Sequence, residues 1–139
     1  MTELDKYSKR GQFFFTSSDR ISQVCNAPPD KKFKYGGIYL VYALKANTSE
    51  LIYIGISGRL DKITKELIPR KDGIMGRIVS GKRDGEPRKN YWIREMLKEN
   101  IDALKIKWYV VHDNDTIHDC PETVERKLID EYKPRWNRK

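Results

Sequence analysis

Two stretches of sequence decide the fold, Gly36-Gly-Ile-Tyr-Leu-Val-Tyr-Ala-Leu44 and Leu51-Ile-Tyr-Ile-Gly-Ile-Ser57. Both are rich in β-branched and aromatic residues, a composition that favours β-strands. The polar residues between them, Lys45 to Glu50, are prone to form a turn, so an antiparallel hairpin is the simplest connection. We therefore expect a small sheet built around this hairpin.

The sequence after the hairpin predicts two helices, a third strand and a last helix. Residues 74–80 and 91–100 place their apolar residues at helical spacing. The run from Leu104 to Val111 alternates and then becomes apolar, which suits a strand. The last helix begins near Pro121 and ends before Pro134. The order β-β-α-α-β-α describes an α/β (α+β) fold, a small three-stranded antiparallel sheet flanked by helices.

The chain has 139 residues, the size of one domain. Residues 1–35 are expected to form an N-terminal arm that packs on a core domain of residues 36–139. Within this arm, the run Phe13-Phe-Phe15 is apolar enough to pack, whereas Asn26 to Asp30 has the composition of a turn or linker.

Composition excludes several classes of protein. No apolar run approaches the roughly 18 residues that a membrane span needs, and the first residues have no signal-peptide core. Cys25 and Cys120 are too few for a disulfide framework. We expect a cytoplasmic protein without a membrane partner.

Charge is distributed unevenly along the chain. The 28 Lys and Arg residues exceed the 20 Asp and Glu residues, giving a net charge of +8. Residues 59–98 and 126–139 are basic, whereas residues 99–125 are acidic. This pattern suits a polyanionic partner, nucleic acid above all, and a local place for a cation. An ordinary solvated surface is the alternative interpretation.

The two predicted strands carry the tripeptides Gly37-Ile-Tyr39 and Tyr53-Ile-Gly55, in that order. With them the sequence resembles the GIY-YIG nuclease superfamily, which is named after these tripeptides. The resemblance covers about residues 36–137 and is closest in pattern to restriction-endonuclease-type members. Three further polar residues of the family pattern follow in order along the chain: Arg77, Glu125 and Asn137.

The sequence departs from the family pattern after the second tripeptide. Compact members carry an arginine soon after the second tyrosine, whereas Tyr53 and Arg77 are 24 positions apart, which makes the basic stretch 59–73 an insertion. Arg59 is the rival of Arg77 as the catalytic arginine, and Arg77 is favoured because it lies in a helix-like segment. Many members also have a His or Tyr one turn after this arginine, and here Lys82 is the candidate for that role.

The resemblance implies hydrolysis of a DNA phosphodiester bond by in-line attack of an activated water, with one Mg²⁺ or Mn²⁺ ion per active site. Glu125 is the expected metal ligand, since a hard cation often takes only one or two protein carboxylates. Arg77 would stabilise charge on the phosphate, whose oxygens its guanidinium fork matches. Tyr39 would activate the water, and Tyr53 would bind the phosphate or the water. Asn137 would anchor the scissile phosphate or the end of the last helix.

Further basic residues are expected to bind the phosphates of double-stranded DNA without sequence preference. They are Arg59, Arg83, Arg88 and Lys89. The protein would act as a monomer or homodimer in which one active site cuts one strand. A restriction-like or mobile-element role follows from analogy at the level of fold. Two alternatives stay open, a non-catalytic nucleic-acid-binding module of the same fold and a structure-specific nuclease in a repair complex.

Overall fold

A four-stranded antiparallel sheet forms the centre of an α+β fold. The computed structural model describes residues 1–28, 34–70, 72–83 and 85–137. The strands are β1 (Arg10–Phe15), β2 (Gly36–Lys45), β3 (Thr48–Ser57), β4 (Arg59–Leu60), β5 (Leu67–Ile68), β6 (Lys82–Arg83), β7 (Glu86–Pro87) and β8 (Ala103–His112). The helices are α1 (Ile21–Val24), α2 (Gly73–Ser80), α3 (Arg88–Glu99) and α4 (Pro121–Tyr132), with short 3-10 helices at Thr2–Leu4 and Arg135–Asn137.

The main sheet has the strand order β1-β8-β2-β3, so the prediction of three strands is wrong. The additional strand is β1, which pairs antiparallel with β8 at the edge of the sheet. Phe13 and Phe15 are buried, whereas Phe14 is 51% exposed. Three consecutive phenylalanines conceal this alternation, because the outward-facing residue is as apolar as its neighbours. The predicted order β-β-α-α-β-α therefore lacks β1, the short helix α1, and two small ribbons formed by β4–β5 and β6–β7.

The elements predicted from the hairpin onward are confirmed at their centres. Strands β2 and β3 pair antiparallel, with a register shift between Val41 and Tyr42. The helices expected at residues 74–80 and 91–100 are α2 and α3, and the helix expected from Pro121 is α4. Among the described residues, no helix has the length and apolar character that crossing a membrane would require.

Helices pack on both faces of the sheet. Helices α2 and α3 cover the face that carries Tyr39 and Val41, and α4 covers the face that carries Ile38 and Leu40. Neighbouring residues of β2 enter different cores because successive side chains of a strand point to opposite faces. Since β2 lies between β3 and β8, it is buried on both faces and paired along both edges.

The basic insertion at residues 59–73 contains the β4–β5 ribbon. Its turn is closed by the Asp61 carboxylate, which accepts hydrogen bonds from the backbone N–H groups of Ile63 and Thr64. Strand β4 contacts helix α4. The insertion therefore stands beside the helix that carries Glu125. Residue 71 and part of the expected turn at residues 26–30 lie outside the described residues.

Candidate active site

Two clefts adjoin at Arg77 on helix α2. The first, the carboxylate cleft, has a volume of about 490 Å³ and is lined by Ile56, Gly58, Arg59, Ile68, Pro69, Arg70, Arg77, Glu122 and Glu125. The second, the cationic pocket, has a volume of about 340 Å³ and is lined by Tyr53, Arg77, Lys82, Arg83, Arg88, Trp136 and Asn137. Of the ten site residues predicted from the sequence, eight line one or both clefts. The exceptions are Tyr39 and Lys89.

The two glycines of the tripeptides position the surrounding groups. Gly55 lies opposite Tyr39 in the β2–β3 pair, and the Tyr39 ring lies directly over it. A Cβ atom at Gly55 would collide with the Tyr39 ring and hydroxyl. A Cβ atom at Gly37 would collide with the Ile74 side chain and the backbone oxygen of Tyr109. The missing side chain at Gly37 thus lets α2 approach the sheet, and α2 carries Arg77.

The Tyr39 hydroxyl lies beneath the cationic pocket. Tyr39 is fully buried, and its Oη atom accepts a hydrogen bond of 2.6 Å from Nη1 of Arg88. Burial is the main cause that raises the pKa of the Tyr39 hydroxyl above its ordinary value, while the charges of Arg88 and Arg77 act in the opposite direction. Tyr53, in contrast, lines the pocket, with its ring centroid 6.0 Å from that of Tyr39.

Arg88, which we expected to bind DNA phosphates, is buried at the start of α3. Its Nη1 atom also donates to the backbone oxygen of Arg77 at 3.2 Å, and its guanidinium lies 5.6 Å from the Tyr53 ring centroid. One signal for this position was present in the sequence. Arg88, Trp92 and Met96 recur every four residues and form the buried face of α3.

Glu125 faces the carboxylate cleft from α4, one turn after Glu122. It is half-buried and makes no hydrogen bond or ion pair with another described residue. Burial raises the pKa of Glu125 to about 7, Arg77 lowers it, and Glu122 raises it further.

This donor set fits one hard divalent cation. Two carboxylates one helical turn apart face an open cleft, and such a cation commonly completes its shell with water and phosphate oxygens. Within the described residues there is no cluster of three or more acidic, histidine or cysteine side chains that could enclose a metal.

The two rival arginines, Arg59 and Arg77, line the same cleft. Arg59 is exposed on β4, whereas Arg77 is half-buried on α2 and also lines the cationic pocket. The charge of Arg77 acts on both Glu125 and Tyr39. Arg77 therefore occupies the central position.

The remaining cations differ in their surroundings. Lys82 is exposed on β6 at the cationic pocket. Arg83 donates to the backbone oxygen of Trp136 at 2.8 Å and lies over the Tyr91 ring, so it also fixes the chain at this point. Lys89 is exposed on α3 and lines neither cleft.

Asn137 uses its side-chain amide to hold the outer edge of β3. Its Oδ1 atom accepts a hydrogen bond from the Ile54 N–H at 2.8 Å, and its Nδ2 atom donates to the Ile54 backbone oxygen at 2.9 Å. Asn137 thereby ties the 3-10 helix that follows α4 to the strand that carries Tyr53.

The two clefts together can hold a divalent cation beside a phosphate group. Carboxylates line one cleft, guanidinium groups line both, and the Tyr53 phenol lines the second. Comparisons of the chain with protein-family models, with curated proteins and with solved structures find no match.

Proposed function

We propose that the protein is a metal-dependent DNA endonuclease of the GIY-YIG kind that hydrolyses phosphodiester bonds. The observation that carries this proposal is the convergence of eight sequence-predicted residues on two adjoining clefts. These residues come from seven different elements spread between β3 and the 3-10 helix at Arg135–Asn137. Ordinary solvated charges would be expected to lie spread over the surface rather than around two adjoining clefts.

Glu125, with Glu122 beside it, would hold one Mg²⁺ or Mn²⁺ ion. When bound, such an ion supplies Lewis-acid stabilisation of charge on the phosphate oxygens. Support comes from the absence of a hydrogen bond or ion pair to Glu125 among the described residues, because burial of a carboxylate without direct partners is unfavourable.

Arg77 is proposed to bind the scissile phosphate, because its guanidinium borders both clefts and its donors match phosphate oxygens. Tyr53 is proposed to donate a hydrogen bond to the same phosphate or to the attacking water. Tyr39 is proposed to take the proton of that water. The guanidinium of Arg88 at Oη favours the ionised form of Tyr39, which burial disfavours. Lys82 adds positive charge at the rim of the pocket.

The test is cleavage of supercoiled plasmid with Mg²⁺ by the wild type, by Glu125→Gln and by Glu131→Gln, an exposed carboxylate on the same helix. We expect the wild type and Glu131→Gln to cut and Glu125→Gln to lose activity by about 100-fold or more. EDTA should abolish cutting. Since each chain has one proposed site, a monomer would give nicked circles first and a homodimer linear product.

The alternatives separate in the same assay. Cutting confined to branched or flapped DNA would favour the structure-specific nuclease. Salt-sensitive binding without cutting of plasmid or branched DNA would contradict the enzyme proposal and favour the binding module.

A further inference from the structure

Arg88 is a buried cation without an anionic partner in the described part of the chain. It is 4% exposed, and its acceptors are the Tyr39 hydroxyl and the backbone oxygens of Arg77 and Lys82, at 2.6, 3.2 and 3.5 Å. All three acceptors are neutral. Burial of a charge without a counter-ion is costly, so a guanidinium in this position favours the binding of an anion.

The cationic pocket into which Arg88 faces concentrates positive charge. Arg77, Lys82 and Arg83 line it together with Arg88, and none of its described lining residues is acidic. The positive charges of Arg77, Lys82 and Arg88 share about 340 Å³, so a bound anion would reduce the repulsion between them. The Tyr53 phenol lines the same space and adds a neutral donor.

The guanidinium is also held in place before any ligand arrives. A Cβ atom at Gly81 would collide with Nη1 of Arg88, so the glycine makes room for this side chain. The Tyr39 hydroxyl and the backbone oxygens fix its orientation. A donor that is already ordered loses little conformational entropy on binding, which favours affinity for a small anion.

We propose that the cationic pocket is a binding site for one phosphate group, adjoining the position beside Arg77 and Glu125 where cutting is proposed. Arg88 provides the buried donor, and Lys82 closes the pocket at the rim. In DNA the ligand would be a phosphate next to the scissile one. That assignment of the source rests on the proposed function, whereas the affinity for a phosphate group does not.

The test uses inorganic phosphate, titrated at constant ionic strength with chloride and with EDTA present. The readout is the indole N–H signal of Trp136, which lines the pocket, and the reference is the signal of Trp108 on β8. We expect a saturable shift of the Trp136 signal in the wild type. Arg88→Met should weaken phosphate binding by about tenfold or more, since it removes a charged donor. Lys98→Gln, an exposed change at the far end of α3, should bind as the wild type does.

Lys82→Gln keeps the proposal testable if Arg88→Met fails to fold. The Lys82 side chain is exposed, and its loss should weaken phosphate binding by about threefold or more, because the pocket keeps its other cations. A Trp136 signal that does not respond to phosphate, or an equal response in wild type and both pocket variants, overturns the proposal.

A second arm distinguishes the source of the phosphate. A short DNA duplex, added to Glu125→Gln in EDTA, should shift the Trp136 signal and prevent its further response to inorganic phosphate. If DNA binds but leaves that response intact, the assignment to a DNA phosphate is overturned and the pocket serves free phosphate. Phosphate binding in a protein that never cuts DNA would refute only the endonuclease. Cutting without a phosphate response would refute only this pocket.

Discussion

At the scale of single residues, the contact between Tyr39 and Gly55 has the sharpest consequence. Gly55→Ala should displace the Tyr39 ring, because the new Cβ atom would occupy the space of the phenol. We expect a loss of about 1–3 kcal/mol in the free energy of unfolding, as is usual for overpacked cores, together with reduced cutting. Urea unfolding measures the first effect. In a Tyr39→Ala background the same substitution should cost much less, and equal costs in both backgrounds would contradict the explanation.

Removing the hydroxyl group of Tyr39 or of Tyr53 is expected to affect cutting to different extents. Tyr39→Phe keeps the ring over Gly55 but removes the hydroxyl that is proposed to accept the proton of water, so cutting should fall by about 100-fold or more. Tyr53→Phe should have a smaller effect, seen mainly as weaker binding. Single-turnover cleavage, with circular dichroism to verify folding, measures both. A Tyr39→Phe variant that cuts at the wild-type rate would limit Tyr39 to holding Arg88.

The raised pKa of Glu125 predicts that the free energy of unfolding depends on pH. Its pKa is raised to about 7 in the folded protein, so the folded state retains a proton that the unfolded state releases above its ordinary pKa of 4.5. The contribution of Glu125 to stability is therefore fully present below about pH 4.5 and is lost as the pH rises through 7.

Glu125→Gln removes this dependence because glutamine does not titrate. Relative to the wild type, the variant should gain about 1–3 kcal/mol in the free energy of unfolding between pH 4 and pH 8. Urea unfolding in EDTA at several pH values gives the difference between the two proteins. A difference that stays constant with pH would show that the Glu125 carboxyl titrates normally.

At the scale of elements, the edge strand β1 offers a matched pair of substitutions. Phe15 is fully buried and Phe14 is 51% exposed, although they are adjacent and chemically identical. Phe15→Ala should lower the free energy of unfolding by about 3–5 kcal/mol, whereas surface changes such as Phe14→Ala are usually worth about 0.5 kcal/mol. The midpoints of urea unfolding test this prediction, provided that the free energy of unfolding depends equally steeply on urea concentration in both variants. Similar costs would mean that β1 does not pair as described.

The sequence predicts those elements whose apolar residues recur with a clear period. Helices α2 to α4 have such a pattern, and strand β2 is predicted instead by its richness in β-branched and aromatic residues; all four elements are found. Strand β1 is hidden by Phe14, which faces solvent but is apolar. The β4–β5 ribbon depends on the Asp61 carboxylate and two backbone N–H groups, an interaction that leaves no periodic trace in the sequence.

The same distinction applies to the candidate site: residues that match a sequence pattern are predicted, whereas a position that depends on packing in the folded chain is not. The tripeptides, Arg77 and Glu125 are found because they resemble a known pattern, and they fall on the predicted elements. The burial of Arg88 is not predicted from the sequence, because a basic residue at the start of a basic helix is normally solvated. Only the sheet beneath it, with the Tyr39 hydroxyl in reach, explains why this guanidinium points inward.

At the scale of the whole molecule, the excess of positive charge predicts salt-sensitive DNA binding. Each phosphate contact adds about −0.9 to the slope of log affinity against log salt concentration. Lys82→Gln should therefore reduce the magnitude of this slope by about 0.9, the value of one phosphate contact. Lys98→Gln should leave the slope unchanged. Fluorescence anisotropy with a labelled duplex, in the Glu125→Gln background, gives the slopes. Equal slopes for all three proteins would place Lys82 outside the DNA interface.

The position of β1 in the sheet also has a consequence for biosynthesis. Arg10 lies opposite Tyr109, so among the four strands of this sheet the first to leave the ribosome pairs with the last to be made. At about 5–20 residues per second, β1 waits on the order of ten seconds for its partner. During this interval the three phenylalanines form an unpaired, apolar edge that can join the same segment of another nascent chain. A lower level of expression, or a chaperone that covers residues 10–15, should therefore raise the yield of folded protein.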